Sequence, residues 1–173
     1  VLERLAPARA AGFTAISIWP SDVRGMELDA VRQLVNAAGL VVTEVEMIGN
    51  WLPAHAAAPD GVWRAVKWQT ADRLLPLAAA LGAQTVSASE LFGVSDPLPE
   101  IARHFRALCH QAAEHDLRIA LEFVPTGAVP SLTAAWEVIQ RADCLNGGLM
   151  IDGGVLHTPV QEWLRHRAPR TAE

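Results

Sequence analysis

The stretch "RIALEFVP", residues 118–125, has the composition of a buried β-strand, yet it carries a carboxylate near its end. Successive side chains of a strand point to opposite faces, so the three large apolar residues share one face, whereas Ala120 and Glu122 share the other. A strand that helices cover on both faces is instead an almost continuous apolar run. The stretch therefore predicts a sheet with one helix-covered face and one face able to hold a charge.

Strands of this kind alternate with helical segments along the whole chain. Helical periodicity is found in "ELDAVRQLVNAAG" and "EIARHFRALCHQAAEHD", and Gly39, Gly82 and His115–Asp116 are expected to end helices. The predicted strands are "FTAISIW", "LVVTEVEMI", "TVSAS", "RIALEFV" and "GLMID". A repeated β-α pattern predicts a parallel sheet.

Pro76 lies inside one of the predicted helical segments. Proline lacks a backbone N–H and clashes with the preceding turn of a helix. We therefore expect either a kink or two shorter helices, the first from about Asp60 and the second over Leu77 to Leu81.

Alternation in the other strands repeats the division into two faces. In "TVSAS" two serines oppose Val86 and Ala88, and in "GLMID" Met150 shares a face with Asp152. In "LVVTEVEMI" the predicted inner set is Val42, Glu44 and Glu46.

A closed barrel explains these faces, because its helices lie outside and the small and polar side chains face the lumen. The predicted fold is therefore a (β/α)8 TIM barrel of the α/β class. A complete barrel has about 250 residues, and only five strands are recognised here. We expect residues 1–173 to form a single, partial barrel domain, whose open strand edges favour association of the isolated chain.

Glu122 and Asp152 are the leading candidates for chemistry. Both are predicted on the inner face near the ends of consecutive strands, which would place them about 5 Å apart. A divalent cation would offset both their repulsion and their desolvation, and oxygen-rich sites suit Mg or Mn. The alternative is a carboxylate pair bridged to Arg or Lys.

Further candidates lie at strand ends. Glu46 combines inward parity with a terminal position, and the ring of Trp19 is placed to wall a sugar-sized pocket. His157 follows a flexible "DGG" turn and is a candidate substrate or metal ligand, the alternative being a solvated loop histidine. Glu44 and Glu90 either bind substrate hydroxyls or stay solvated at the rim. The other five histidines, His55 included, are expected on surface helices or loops without a role.

Composition excludes several classes of function. The formal charge is -5, and the only basic cluster is "RHRAPR" near the end. The sequence therefore does not predict a basic surface that would bind nucleic acid or anionic lipid. No apolar run reaches the roughly 20 residues of a membrane span, and the first residues do not resemble a signal peptide, so a cytoplasmic protein is the simplest expectation. Cys109 and Cys144 are isolated and predict buried thiols. The GxGxxG, GxxxxGK[ST], GxSxG and HExxH motifs are not found.

Several segments together resemble the xylose isomerase-like TIM-barrel family of sugar isomerases and epimerases. They are "ARAAGFTAISIWPSDV", "NAAGLVVTEVE", "SELFG", "LEFVP" and "NGGLMIDGG". By this resemblance the strands here are the second to the sixth of the barrel. The fifth and sixth carry a Glu and an Asp that bind metal, and these match Glu122 and Asp152. Many members carry a His three residues after the Asp, where this chain has Val155, and the nearest is His157.

The resemblance implies a divalent metal cofactor (Mn, Mg, Co or Zn) and a small sugar-like substrate, with a homo-oligomer also expected. A proton would move between adjacent carbons of a keto sugar through an enediolate. Glu122 would be ligand and proton carrier, and Asp152 ligand alone. The family supplies a further His and Glu from its seventh and eighth strands, which we expect outside this chain. An abasic-site endonuclease on the same barrel and a non-catalytic barrel fragment are the alternatives.

Overall fold

The computed structural model describes residues 2–57, 64–94 and 96–152. The five strands of these residues are β1 (Ala15–Ile18), β2 (Val41–Ile48), β3 (Thr85–Ser89), β4 (Arg118–Glu122) and β5 (Gly147–Met150). The α-helices are α1 (Leu2–Ala10), α2 (Leu28–Ala37), α3 (Arg64–Lys67), α4 (Ala71–Leu81), α5 (Leu98–Ala113) and α6 (Leu132–Ala142). Short 3₁₀ helices follow β1 (Pro20–Val23) and β2 (Pro53–Ala57).

The five strands form one parallel sheet in the order β1-β2-β3-β4-β5. Each strand lies beside its predecessor and is joined to it through a helix. Right-handed crossovers in one direction place all of these helices on the same face of the sheet. Accordingly α2 packs on α4, α4 on α5, and α5 on α6. This is the arrangement of a partial TIM barrel, and the predicted fold class is confirmed.

The helix-covered face of the sheet holds the apolar core. Val86 and Ala88 of β3 and Ile119 and Leu121 of β4 are at most 1% exposed, as the alternation of these strands predicts. Burial of a large aliphatic side chain stabilises a fold by about 1.5–3 kcal/mol. The opposite face, called the inner face below, carries Ser and Glu side chains at the ends of the strands.

Strict alternation fails in β2. The register of the β1–β2 pair shifts between Ile16 and Ser17, and that of the β2–β3 pair shifts between Val45 and Ile48. Each irregularity sets an extra residue of β2 against its neighbour, so Val42, Val45 and Ile48 are all buried in the core. The prediction that Val42 shares the inner face with two glutamates is therefore wrong.

The helix ends agree with the sequence. The segment that contains Pro76 is divided into two helices, α3 and α4, but the division lies at residues 68–70 and not at Pro76, so the predicted bounds of 77–81 for the second helix are wrong. Gly39 follows α2, and Gly82 ends α4 in the left-handed conformation, with φ of 76°. The helix α4 runs from Ala71 to Leu81 with Pro76 inside it. Proline removes one backbone bond of the helix, and the burial of neighbours such as Leu75 against the core offsets that loss.

Both cysteines are free thiols. Cys109 on α5 is fully buried, as predicted, whereas Cys144 before β5 is half-buried. Burial, with a smaller contribution from Cys144, raises the pKa of Cys109 to about 12. A thiol of this kind packs as a small apolar group and is a poor nucleophile. No α-helix among the described residues is both long and apolar enough to cross a membrane.

Replacing Gly82 by Ala is expected to lower the free energy of unfolding by about 1–2 kcal/mol, because a Cβ disfavours the left-handed conformation. The added methyl group itself has room, since its nearest neighbour would be the Arg32 Cδ at 3.5 Å. Urea unfolding of the purified protein measures the loss.

Gly148→Ala is the matched control, because no atom lies within 4 Å of the position of its Cβ and its φ is not in the left-handed region. Equal stability of Gly82→Ala and the unchanged protein would contradict the assigned helix end.

Candidate functional site

The site begins at the carboxyl ends of β3 and β4, where Ser89 and Glu122 are paired across the sheet. The Ser89 hydroxyl donates a hydrogen bond of 2.6 Å to Oε2 of Glu122. Ser89 is fully buried and Glu122 is half-buried. The carboxylate therefore lies at the rim formed by the carboxyl ends of the strands, which is called the mouth below. The predicted position of Glu122 on the inner face, at the end of its strand, agrees with this hydrogen bond.

Asp152 lies beyond the end of β5 and not, as the sequence suggests, directly beside Glu122. The register of β4 and β5 pairs Glu122 with Met150, so the predicted alignment of Glu122 with Asp152 is wrong. Strand β5 ends at Met150, and Asp152 lies two residues beyond it with an exposed side chain. The stagger arises from the strand register, which side-chain alternation leaves undetermined.

Glu46 approaches the same face from β2. Its carboxylate oxygen Oε1 accepts a hydrogen bond from the Ser17 hydroxyl of β1. Glu44, two residues earlier, pairs in register with Ser17. Glu44 and Glu46 of β2 and Glu122 of β4 thus lie on the inner face, close enough for their charges to interact.

The electrostatics of Glu44 reflect this crowding. Burial, and to a smaller extent the negative charges of Glu46 and Glu122, raise its pKa from the usual 4.5 to about 7. The Ser87 hydroxyl lowers the pKa by less than burial and Glu46 raise it, and its contact with Glu44 is not a hydrogen bond of standard geometry. Glu44 also lines a cavity of about 310 Å³ with Thr85 and Arg118. Glu44 therefore lies close enough to two other carboxylates of the inner face to be affected by their charge.

The other predicted binding residues differ in position. Trp19 directly follows β1, and 39% of its surface is exposed, which leaves its ring accessible at the end of the strand. Its backbone N–H donates to Asp22 at 3.1 Å. His157 lies outside the described residues.

Glu90 is neither solvated nor open to substrate, contrary to expectation. It is 1% exposed, and its carboxylate accepts hydrogen bonds from the backbone N–H groups of Phe92, Gly93 and Ala128. Oε1 also lies 3.3 Å from Nε2 of His55. Burial alone would raise the pKa of Glu90, but these hydrogen bonds outweigh it and lower the pKa.

His55 completes this buried cluster and corrects the expectation of a surface residue. It is fully buried, and Nδ1 accepts the backbone N–H groups of Trp51 and Leu52, both at 3.3 Å. With Nδ1 as acceptor, Nε2 carries the proton and donates to Glu90. The pair thus joins the loops that follow β2, β3 and β4. No local sequence pattern indicates it, because the partners come from separate loops.

The donor set partly fits a divalent cation. Glu122 and Asp152 offer carboxylate oxygens near the ends of adjacent strands, and hard cations such as Mg or Mn prefer such ligands. Part of the rise in the pKa of Glu44 comes from the charges of Glu46 and Glu122, and a nearby cation would reduce that part. Within the described ranges, however, no three His, Cys, Asp or Glu side chains converge as a complete metal site.

Comparison with known proteins identifies the family. Residues 5–163 match the model of the xylose isomerase-like TIM barrel family. The chain belongs to this family. No curated protein matches the sequence significantly.

Solved structures share the fold at low sequence identity. An AP endonuclease of family 2 from Brucella melitensis superposes with a TM-score of 0.70 and 19% identity, over 95% of this chain and 69% of that one. An L-ribulose 3-epimerase superposes with a TM-score of 0.69 and 20% sequence identity, over 97% of this chain and 61% of that one. The IolI protein with a bound zinc atom superposes with a TM-score of 0.70 and 19% identity, over 90% of this chain and 58% of that one. The chain thus spans between 58% and 69% of the length of these three structures.

Replacing Glu90 by Gln is expected to lower the free energy of unfolding by about 2–4 kcal/mol, because an amide turns N–H donors toward backbone N–H groups and loses the charge. Urea unfolding at neutral pH measures this difference. Glu137→Gln, which alters an exposed pair with Arg141, is the control and should change stability by no more than about 0.5 kcal/mol.

The difference in unfolding free energy between the unchanged protein and Glu90→Gln should depend on pH. Because the pKa of Glu90 is lowered in the folded state, its ionised form stabilises the fold above the usual pKa of 4.5, and this stabilisation is lost as the pH falls toward the lowered value. The difference between the unchanged protein and Glu90→Gln should therefore narrow below pH 4.5. A constant difference down to the acid transition would contradict the assignment.

The raised pKa of Glu44 predicts the opposite dependence of stability on pH. Its raised pKa means that the protonated carboxyl favours the fold, and that stability is lost as the pH rises from 4.5 through about 7. Glu44→Gln should abolish this loss, which urea unfolding at about pH 4 and about pH 8 detects in protein stripped of metal by EDTA. The exposed Glu100→Gln is the control, and parallel pH profiles for Glu44→Gln and the unchanged protein would refute the burial of Glu44.

Proposed function

We propose that this protein is a divalent-metal-dependent isomerase or epimerase that moves a proton between adjacent carbons of a small sugar, keto sugar or polyol. The observation that carries the proposal is the place of Glu122: it ends β4 on the inner face, at the carboxyl end of a partial TIM barrel, with one oxygen already fixed by Ser89. TIM-barrel enzymes keep their chemistry at this end of the strands.

Glu122 and Asp152 would hold the cation, which is Mn, Mg, Co or Zn. They supply two of its positions, and water, substrate or residues outside the described ranges would fill the others. The bound cation supplies Lewis-acid polarisation of a substrate carbonyl or hydroxyl. Membership of the family and the zinc atom bound by the structurally similar IolI protein support a metal, although that similarity concerns the fold.

Glu122 would also act as the proton carrier. Its carboxylate takes the proton from the carbon next to the substrate carbonyl, which leaves an enediolate. The carboxylate then returns the proton to the adjacent carbon on the same face, or a second acid outside the described residues supplies a proton from the opposite face. The first outcome is isomerisation and the second epimerisation. A carboxylate held by Ser89 keeps the geometry that such a transfer needs.

Substrate binding falls to the polar and aromatic residues around this carboxylate. Glu46 would accept hydrogen bonds from substrate hydroxyls, and the accessible ring of Trp19 would pack against an apolar sugar face. His157 is the third proposed contact. The similarity to an L-ribulose 3-epimerase favours a ketose as the first substrate to test.

An abasic-site endonuclease is the alternative on the same barrel, and the AP endonuclease from Brucella melitensis shares the fold. The formal charge of -5 disfavours it, because DNA binding relies on basic surfaces. A barrel that binds a ligand without turning it over is the other alternative. Cleavage of an abasic duplex without any ketose turnover would favour the endonuclease.

Glu122→Gln in the full-length protein is expected to lower metal content and abolish turnover, because the amide is a weaker ligand and no base. The assay is the entry of solvent deuterium into L-ribulose or D-fructose, followed by NMR in the presence of Mn²⁺, since it detects proton transfer whatever the product. Bound metal is measured by mass spectrometry of the dialysed protein.

Glu137→Gln, on the exposed surface of α6, is the control and should retain both metal and exchange. Undiminished metal and exchange in Glu122→Gln would rule out the assigned role. If the unchanged protein catalyses no deuterium exchange into L-ribulose or D-fructose in the presence of Mn, Mg, Co or Zn, the proposed function is ruled out.

A further inference from the structure

We propose that Ser89 is a positioning residue for Glu122. It would fix the carboxylate at the mouth through the hydrogen bond to Oε2, so that the other oxygen is presented to the cation and the substrate. This inference rests on the proposed function and adds to it a residue from a different strand.

The geometry of the bond supports a fixed orientation. Ser89 and Glu122 are register partners at the ends of β3 and β4, and their side chains point to the same inner face. At 2.6 Å, the bond lies within the short range typical of a hydroxyl donating to a charged oxygen. Ser89 is fully buried, so water is not at hand to take the place of its hydroxyl.

The backbone of Ser89 is itself held in place. Its carbonyl oxygen accepts the indole N–H of Trp51 at 3.0 Å, and the Trp51 ring packs edge-on against Phe105, with centroids 6.2 Å apart. The next residue, Glu90, belongs to the buried cluster that joins three loops. The hydroxyl therefore acts from a rigid strand end, which is what positioning requires.

The loop that follows β4 packs closely against this strand end. A Cβ placed on Gly127 would lie 2.0 Å from the carbonyl oxygen of Glu90, so the loop after β4 lies directly against the residue that follows Ser89. Ser89 and Glu122 are thus supported from both strands. Small changes in one loop would be transmitted to the hydrogen bond.

Ser87 shows that the arrangement is specific to Ser89. It lies two residues earlier on the same face of β3 and is 2% exposed, yet its hydroxyl lies near Glu44 and makes no hydrogen bond of standard geometry to Glu122. The two serines share chemistry, strand, face and burial. Only Ser89 engages the carboxylate, so Ser87 is a matched control.

The test compares Ser89→Ala with Ser87→Ala in the full-length protein. Ser89→Ala is expected to weaken Mn²⁺ binding or slow deuterium exchange into ketose about 10–100-fold, the usual cost of losing a group that orients a metal ligand. Calorimetric titration with Mn²⁺ measures the first and NMR the second. The KM for the ketose should stay unchanged, because Ser89 is not placed against the substrate.

Two conservative variants separate positioning from a merely structural role. Ser89→Thr keeps the hydroxyl and should restore both readouts toward those of the unchanged protein. Ser89→Cys keeps the shape but donates only a weak hydrogen bond, and it replaces Ser89→Ala if that variant fails to fold. A structural role would instead lower the unfolding midpoint of each variant without separating kcat from KM.

The outcomes are distinguishable. If Ser89→Ala, or Ser89→Cys in its place, equals the unchanged protein in Mn²⁺ binding and exchange while Glu122→Gln is inactive, Ser89 does not position Glu122 and the proposed function stands. An equal loss in Ser87→Ala also overturns the inference. If the unchanged protein neither binds Mn²⁺ nor exchanges ketose protons, the proposed function fails and the inference fails with it.

Discussion

Among the described residues, the helices that join the strands cover one face of this parallel sheet, and most of the structure follows from that constraint. Because the strands add in sequential order, every helix packs on the same side, and the apolar side chains of β3 and β4 are committed to that side. The other face is left for side chains too small or too polar for the core. Glutamates and serines can then meet at the strand ends without disturbing the packing.

Much of this arrangement could be predicted from the sequence, because it depends on local periodicity. The strand "TVSAS" has the predicted bounds, and in β3 and β4 the buried residues alternate with the inner ones as expected. Glu122 is recognisable for the same reason: it is a charge within an otherwise apolar strand. Ser89 shows the same inward parity at the end of its strand, but a serine gives no such contrast, and the sequence does not indicate its hydrogen bond to Glu122.

The features that could not be predicted depend on contacts between distant segments. The register shifts of β2 bury Val42, and the stagger of β4 and β5 places Met150 rather than Asp152 beside Glu122. The buried pair of His55 and Glu90 requires three loops to meet. Side-chain alternation carries no information about register, and an isolated histidine in a loop gives no indication of a partner 35 residues away.

The site that emerges is a set of carboxylates whose mutual repulsion a cation would relieve, supported by serine hydroxyls and a rigid loop cluster. The raised pKa of Glu44 comes mainly from burial, and repulsion by Glu46 and Glu122 adds to it. The most direct test of the account is a crystal structure of the full-length protein with Mn²⁺, with diffraction data collected at the manganese absorption edge. The account predicts an anomalous peak about 2.2 Å from a carboxylate oxygen of Glu122, with Asp152 as a second ligand. A peak confined to another part of the surface, or no peak at these carboxylates in saturating Mn²⁺, would contradict it.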